Sequence, residues 1–338
     1  MKKQRGFFDD EFRFQELEKQ GDPLITLNNM IPWEDFRHPL NRIFKKDAKG
    51  PGGRPPYDYV LMFKILILQR LYNLSDAQTQ FQIMDRFSFM RFLGLQLHHQ
   101  VPDEKTIWLF RETLTKSGKI ETLFERFRSY LLSEGIIAFS GSIVDASFVE
   151  APKQRNTKEE NDQIKEGETP ERWSKNKRSQ KDVDARWVTK GGQRHYGYKN
   201  HIKIDRKSKL IEKYTVTSAA VHDSQAIESL ISEKDSNHEM FADSAYSGNK
   251  IRELLKNQNI RNRIHEKGYR DHPLSKDQLE RNRKKSKTRC RVEHVFGCIK
   301  NSLKGNALRS IGILRANAII GLTNLVYNMV RYLQLVRA

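Results

Sequence analysis

Apolar positions recur with two different periods along this chain, and the change falls near residue 135. Before it the spacing is helical. Tyr57–Leu74 reads Y-D-Y-V-L-M-F-K-I-L-I-L-Q-R-L-Y-N-L and predicts a largely buried helix. Ser75 and Gln78 have capping-box spacing, which starts a new helix carrying Phe81, Ile83, Met84 and Phe87 toward Phe89–Leu95. Asp103 is the predicted N-cap of T-I-W-L-F-R-E-T-L, and Ile120–Leu132 is an amphipathic helix running to Gly135. Trp33 and Phe36 open a short helix after Pro32. The K-G-P-G-G-R-P-P stretch around 49–56 predicts a linker, because glycine relaxes φ while proline fixes it and removes donors. Three short helices with tight connections fit a helix-turn-helix module or a plain packing bundle equally well. Residues 1–135 therefore read as an all-α N-terminal domain.

After residue 135 the period shortens. Ile136–Phe139 and Ser142–Val149 (S-I-V-D-A-S-F-V) are β-branched and apolar, with Asp145 in the middle. Residues 150–197 are polar and predict an exposed insertion or long loop. Tyr196–Asp205 and Leu210–Thr217 alternate on either side of the turn Arg206–Lys209, an antiparallel hairpin. A helix follows from Ala226, capped by Asp223 or Ser224; His222 and Asp223 either lie near the functional site, since they follow a core strand, or are a helix cap and a packed histidine. A short strand then ends at Asp243 and turns into a helix, Asn249–Gln258; Ile260–Ile264 can add a strand, and 276–288 is a basic helix. In this α/β order the first strand lies central and the Asp243 strand can lie parallel beside it, with the intervening helix as crossover. Residues 136–338 read as this second domain.

Charge changes the picture of function. The net charge is +19, and residues 151–210 contribute +8 while 250–304 contribute +11, so the rest of the chain is neutral. A field concentrated in two blocks implies a polyanionic partner. The blocks lack the bulky apolar face of a membrane-surface helix, so nucleic acid is favoured over lipid. Val60–Leu68 is short and broken by Lys64, and the run after Ile311 is interrupted by Arg315, Asn317 and Asn324, so neither predicts a membrane span. Met1–Arg5 leads into sequence without an apolar signal core. With only Cys290 and Cys298, no disulfide framework is expected, and a cytoplasmic location follows. Those cysteines and His294 share a helix but make too few ligands for a closed zinc site.

The chemistry concentrates in Arg289–Lys300, R-C-R-V-E-H-V-F-G-C-I-K. At about 100° per residue, Arg289, Glu293, Phe296 and Lys300 share one helical face. Such spacing is either a salt-bridged solvent face or a metal-binding glutamate flanked by phosphate-holding cations. Asp145 argues for the second, since a carboxylate in so apolar a run is costly to bury unless paired or metal-bound. Two aspartates on neighbouring strands and a glutamate from a later helix would converge on hard divalent cations. Trp173 and Trp187 stand among lysines and arginines, as base-stacking or as local core residues. Tyr246 can approach DNA or cover the core. Arg186, Trp187 and Lys199 are taken as candidate DNA contacts beside Arg289 and Lys300.

V-D-A-S at Asp145, F-A-D-S-A-Y-S-G at Asp243 and R-V-E-H-V-F-G-C-I-K at Glu293, in that order, resemble the DDE transposases of bacterial insertion sequences. They are most similar to the group named after insertion sequence five, over the chain from about Tyr57 to the C-terminus. The resemblance implies a ribonuclease H-like mixed sheet with flanking helices and a metal-binding triad of Asp145, Asp243 and Glu293. It implies two Mg²⁺ ions, with Mn²⁺ able to substitute, and double-stranded DNA as partner, bound by a homodimer in the bacterial nucleoid. The expected reaction is hydrolysis at the transposon ends, then joining of the 3′ hydroxyl to target DNA. Related transposases carry tyrosine, arginine and lysine at fixed offsets on the glutamate helix; Arg289 and Lys300 match, and Ser286 stands at the tyrosine position. The 50 residues from Asp243 to Glu293 leave no room for a large inserted β domain. A transposase-derived DNA-binding protein without catalysis, and a metal-dependent nuclease without strand transfer, are the competing readings.

Overall fold

The structure, a computed structural model, describes residues 9–44 and 55–337. Most of the expected linker at 49–56 lies outside the described residues. The chain divides into two units, Met1–Phe127 with Met329–Ala338, and Arg128–Asn328.

The first unit is helical. Its apolar stripe buries Leu24, Phe36, Leu40, Phe63, Ile65, Leu68, Ile83, Phe92, Ile107 and Leu114. The Ser75–Gln78 capping box forms as expected and starts the Asp76–Asp85 helix. Asp103 likewise accepts from Thr106 N at 2.7 Å and starts Glu104–Lys116. Arg111 reaches across to Asp76 (Nη2 to Oδ2 2.7 Å) and to Gln69 Oε1 (2.9 Å), tying three helices together. One expectation fails here. Phe81 and Met84 are 62% and 63% exposed, so only Ile83 of that trio points inward.

The second unit is built on one mixed sheet. Its strands are β1 (Ser142–Glu150), β2 (Arg186–Lys190), β3 (Gln193–Asp205), β4 (Ile211–Ser218), β5 (Glu239–Phe241) and β6 (Arg261–Asn262). The order runs β3, β1, β5, β6, with β2 and β4 also paired to β3. β1 is antiparallel to β3 and β3 to β4, whereas β5 is parallel to both β1 and β6. An antiparallel meander followed by strands added in parallel beside the first is the ribonuclease H-like arrangement. The crossover before β5 carries only short helical turns, Asp223–Gln225, Ile227–Leu230 and Glu233–Asp235, in place of the longer helix expected.

Two glycines permit the central pairing. A Cβ on Gly197 (φ +148°) would sit 2.6 Å from Ala151 N and closer still to Val149 O. A Cβ on Gly141 (φ +112°) would sit 2.9 Å from Glu239 O, where β1 enters beside β5. Phe139 (φ +46°) and Gly141 turn the chain there, so Ile136–Phe139 is not a strand as its composition suggested. One face of the sheet buries Val144 against Met240, Ala242, Tyr246, Ile251, Leu255 and Ile264. On the helix Ile313–Arg337, Asn324 pairs with Asn200 (2.9 Å) and Asn328 caps Ile211 N (2.8 Å), so buried amides fix it to β3 and β4.

The insertion is more ordered than its polarity predicts. A Thr157–Glu160 capping box starts the helix Lys158–Lys165. Glu160 accepts from Trp173 Nε1 (2.6 Å) and Lys177 Nζ (2.5 Å), and Trp173 is buried with Ile164 and Ala185. Asp182 accepts from Tyr198 Oη (2.8 Å), Ala185 N (2.9 Å) and Gly312 N (3.0 Å), which pins the insertion to β3.

Candidate active site

Strand register places the two aspartates. Ser142 pairs with Met240 and Ile143 with Phe241, so the same parallel register carried two residues further sets Asp145 beside Asp243. Both lie at the C-terminal side of their strand pairing, where open α/β sheets offer their binding sites. Asp145 Oδ1 accepts from Ala146 N at 2.8 Å, and Asp243 Oδ1 accepts from Ala245 N at 2.8 Å, capping the turn Ser244–Tyr246. Burial pushes the Asp145 carboxyl up to about 6, against the Ala146 N–H; the Asp243 charge adds to the rise and Arg289 opposes it. The Asp243 charge beside it thus disfavours the ionised form of Asp145, and a bound cation would relieve that.

The third carboxylate arrives from the later helices. Lys276–Arg289 and Arg291–Gly297 are separate helices broken at Cys290, not one continuous element. The second then widens into a π turn at Cys298–Ser302. Arg289 spans the gap between strand and helix: Nη1 donates to Asp145 Oδ2 at 2.9 Å and Nη2 to Glu293 Oε1 at 2.7 Å. The i, i+4 pairing of Arg289 with Glu293 is the one the helical face predicts. Phe296 seats that face in the core, whereas Lys300, in the π turn, is shifted from its expected α-helical position and exposed.

All three groups are hard oxygen donors, the chemistry a divalent cation takes. Asp145 and Asp243 stand together, and Glu293 is one guanidinium away from Asp145. Among the described residues no group of three His, Cys, Asp or Glu side chains stands at metal-holding spacing, and the Glu293 carboxylate accepts from Arg289.

The remaining candidates separate. Trp187 is 47% exposed and leans on Tyr196, with ring centroids 5.0 Å apart. Arg186 donates to the carbonyls of Val183 (2.6 Å) and Ile164 (2.7 Å), so its guanidinium is engaged within the insertion. Lys199 is buried, its ammonium 2.8 Å from Asp223 Oδ1 and donating to Val221 O at 2.7 Å. His222, not Asp223 or Ser224, caps the turn after β4, with Nδ1 accepting from Ser224 N at 3.3 Å. Ser286 Oγ lies 3.4 Å from His265 Nε2. Tyr246 is wholly buried, and its hydroxyl has no hydrogen-bond partner among the described residues. His265, Lys285 and Arg252, none of them a sequence candidate, line a cleft with Tyr246 and Gly248, the residues that follow Asp243 in the chain; only the excess of basic charge in 250–304 hinted at them.

The family described as Transposase DDE domain matches residues 138–329, more than half of the chain. The chain belongs to that family. It is a metal-dependent DDE transposase. A second family, described as Transposase domain (DUF772), matches residues 12–113 of this transposase, the helical region. Among solved structures, "Crystal structure of the Mos1 Strand Transfer Complex" is 10% identical at a TM-score of 0.25, covering 81% of the transposase and 73% of that chain. "Mos1 transposase paired-end complex with left transposon end" is 12% identical at a TM-score of 0.20, covering 64% and 62%. Likeness this slight bears on neither fold nor chemistry. No helix among the described residues of the transposase is long and apolar enough to cross a membrane.

Proposed function

We propose that this transposase belongs to the group named after insertion sequence five and acts on the terminal inverted repeats of its own element. It cuts the phosphodiester at each end and joins the freed 3′ hydroxyl to target DNA. In the first step water attacks phosphorus and the bond to the 3′ oxygen breaks, leaving a 3′ hydroxyl and a 5′ phosphate. In the second, that hydroxyl attacks a target phosphodiester and a target 3′ oxygen leaves. The observation that carries the reading is the register that sets Asp145 beside Asp243, with Arg289 linking Asp145 to Glu293.

Asp145, Asp243 and Glu293 are the residues that would hold the divalent cations, two Mg²⁺ with Mn²⁺ as a substitute. Such ions activate the attacking oxygen and stabilise the leaving one. Glu293, at 59% side-chain exposure, has the freedom to turn from Arg289 toward the aspartates. That releases Arg289 Nη2 for a charge-assisted hydrogen bond to a DNA phosphate, while Nη1 stays on Asp145 Oδ2. Exposed Lys300 adds a second phosphate contact, and the Trp187 ring on the β2–β3 hairpin offers a surface for an unpaired base. Arg186 and Lys199 shape that hairpin from within. The N-terminal helices read the terminal repeat, and a homodimer on DNA, in the bacterial nucleoid, joins two ends in concert.

The test is to incubate the protein with Mg²⁺, a labelled duplex carrying the element's terminal repeat, and a plasmid target. Joined product supports the reading. Cut ends without joining would make it a nuclease, and binding without cutting would make it a DNA-binding protein.

A further inference from the structure

Two carboxylates share one guanidinium at the centre of the site. Arg289 donates through Nη1 to Asp145 Oδ2 at 2.9 Å and through Nη2 to Glu293 Oε1 at 2.7 Å. One positive charge thus serves two of the three acids assigned to the divalent cations.

The two halves of this bridge are unequal. Arg289 is the last residue of the helix Lys276–Arg289, and Glu293 lies in the first turn of Arg291–Gly297, across the break at Cys290. Each helix is tied down: Lys285 donates to Ile264 O at 2.8 Å and Arg291 to Arg206 O at 2.8 Å. Val292, Val295 and Phe296 are buried on the second helix. Both helices are therefore anchored, and a rearrangement here falls to the side chains. Those of Arg289 and Asp145 are 21% and 15% exposed, whereas that of Glu293 is 59% exposed. An ion pair gains little where water reaches it and is costly to break where water is excluded. The Arg289–Asp145 bond is the anchor, and the Arg289–Glu293 bond is the one that exchanges.

Two ligands have reason to break that second bond. A DNA phosphate competes with Glu293 for Nη2, as an anion suited to guanidinium. A divalent cation takes carboxylate oxygens and competes with Nη2 for Glu293. Each removes one half of the same pair, so each frees the partner that the other needs.

We infer that Arg289 is an internal counter-cation that keeps Glu293 from joining Asp145 and Asp243 until a DNA phosphate takes its place on Nη2, so that DNA and divalent cations bind cooperatively. The inference rests on the reading of Asp145, Asp243 and Glu293 given above as the cation-holding acids. Off DNA the protein then holds divalent cations weakly, and the three acids come together where the substrate is.

The test measures Mn²⁺ binding to full-length wild type, Arg289→Ala and Arg289→Lys, by electron paramagnetic resonance of the free ion. Each protein is titrated alone and with a duplex that already ends at the transposon 3′ hydroxyl, which leaves nothing to cut. Asp145→Ala with the same duplex gives the background. Without DNA, Arg289→Ala should bind Mn²⁺ about fivefold more tightly than wild type, the low end of ordinary coupling between sites. Arg289→Lys keeps the charge but lacks the fork that holds two carboxylates, so it should gain as well. A damaged site loses affinity, so a gain separates release from harm. DNA should raise wild-type Mn²⁺ affinity about fivefold more than it raises that of Arg289→Ala, and Mn²⁺ should favour DNA binding by the same factor. Unchanged or weaker Mn²⁺ binding in Arg289→Ala, or a gain confined to Arg289→Ala, overturns the inference alone. Wild type that binds no more Mn²⁺ than Asp145→Ala, with DNA and without it, removes the cation-holding reading and the inference with it.

Discussion

Replacing Asp145 by asparagine is expected to stabilise the metal-free protein at neutral pH while abolishing its chemistry. The side chain is only 15% exposed, and burial holds its carboxyl up at about 6 even with the Arg289 guanidinium 2.9 Å away. A rise of about two units over the ordinary carboxylate corresponds to about 3 kcal/mol, at about 1.4 kcal/mol per unit. In the unfolded chain this carboxyl ionises near 3.9, as any aspartate does, to within about a unit. Below that pH both states hold the proton, and the residue's full contribution to stability is present. As pH rises through about 6 that contribution is lost, because the folded protein must then ionise a buried acid. Asparagine keeps the shape and the Ala146 N–H contact and never ionises. In EDTA at pH 8 the variant should therefore exceed wild type by up to about 3 kcal/mol, and near pH 4 the two should coincide. Two structural units make a single unfolding transition unsafe, so the margin is best read from hydrogen exchange of β1 and β3 amides in urea. Mg²⁺ should protect wild type and not the variant, since a ligand stabilises only the state that binds it. A variant less stable at pH 8, or a margin independent of pH, would refute the reasoning.

Other outcomes follow from particular contacts. Lys203 is buried with its ammonium 2.6 Å from Asp235 Oδ2 and 3.4 Å from Glu212 Oε2, so Lys203→Met should cost about 3–5 kcal/mol by leaving buried carboxylates without a cation, read by urea unfolding. Glu212, which burial pushes up to about 7, should take up a proton in that variant, making the loss smaller at pH 5 than at pH 8. Tyr198→Phe removes the hydroxyl that donates to Asp182 and should cost about 1–3 kcal/mol, seen as faster proteolysis of the insertion. Trp187→Ala, at an exposed ring, should leave stability within about 0.5 kcal/mol. The same change should weaken binding of single-stranded DNA by about 1–3 kcal/mol for each base that stacks there, measured by fluorescence anisotropy.

The pairing of the Asp145 and Asp243 strands was legible in the sequence because strand patterning is local, whereas the position of the Glu293 carboxylate, which sits on Arg289, was not. S-I-V-D-A-S-F-V declares a buried strand, and a crossover of suitable length lets the Asp243 strand pair beside it in parallel. Burial of single side chains was not legible, because it depends on partners distant in sequence. Trp173 and Trp187 look alike among lysines and arginines, yet one finds Glu160 and a pocket and the other finds solvent. Lys199 reads as a surface cation until β3 brings it to Asp223, 24 residues on. The order of the insertion had a visible sign that composition hid: T-x-x-E at Thr157–Glu160 is a capping box in an otherwise polar stretch. Phe81 and Met84 failed for a related reason, since a helix with apolar residues on more than one side does not say which side its neighbours cover.

The central claim is that Asp145, Asp243 and Glu293 act together on a metal-dependent cut. The most direct measurement is nicking of a labelled terminal-repeat duplex by wild type, with Mg²⁺ and with EDTA, beside Asp145→Ala, Asp243→Ala and Glu293→Ala. Each variant is also assayed for binding to the same duplex. Cutting that needs Mg²⁺ and disappears in all three variants while binding survives is the result expected. A variant that cuts as well as wild type would remove its residue from the site and contradict the account there.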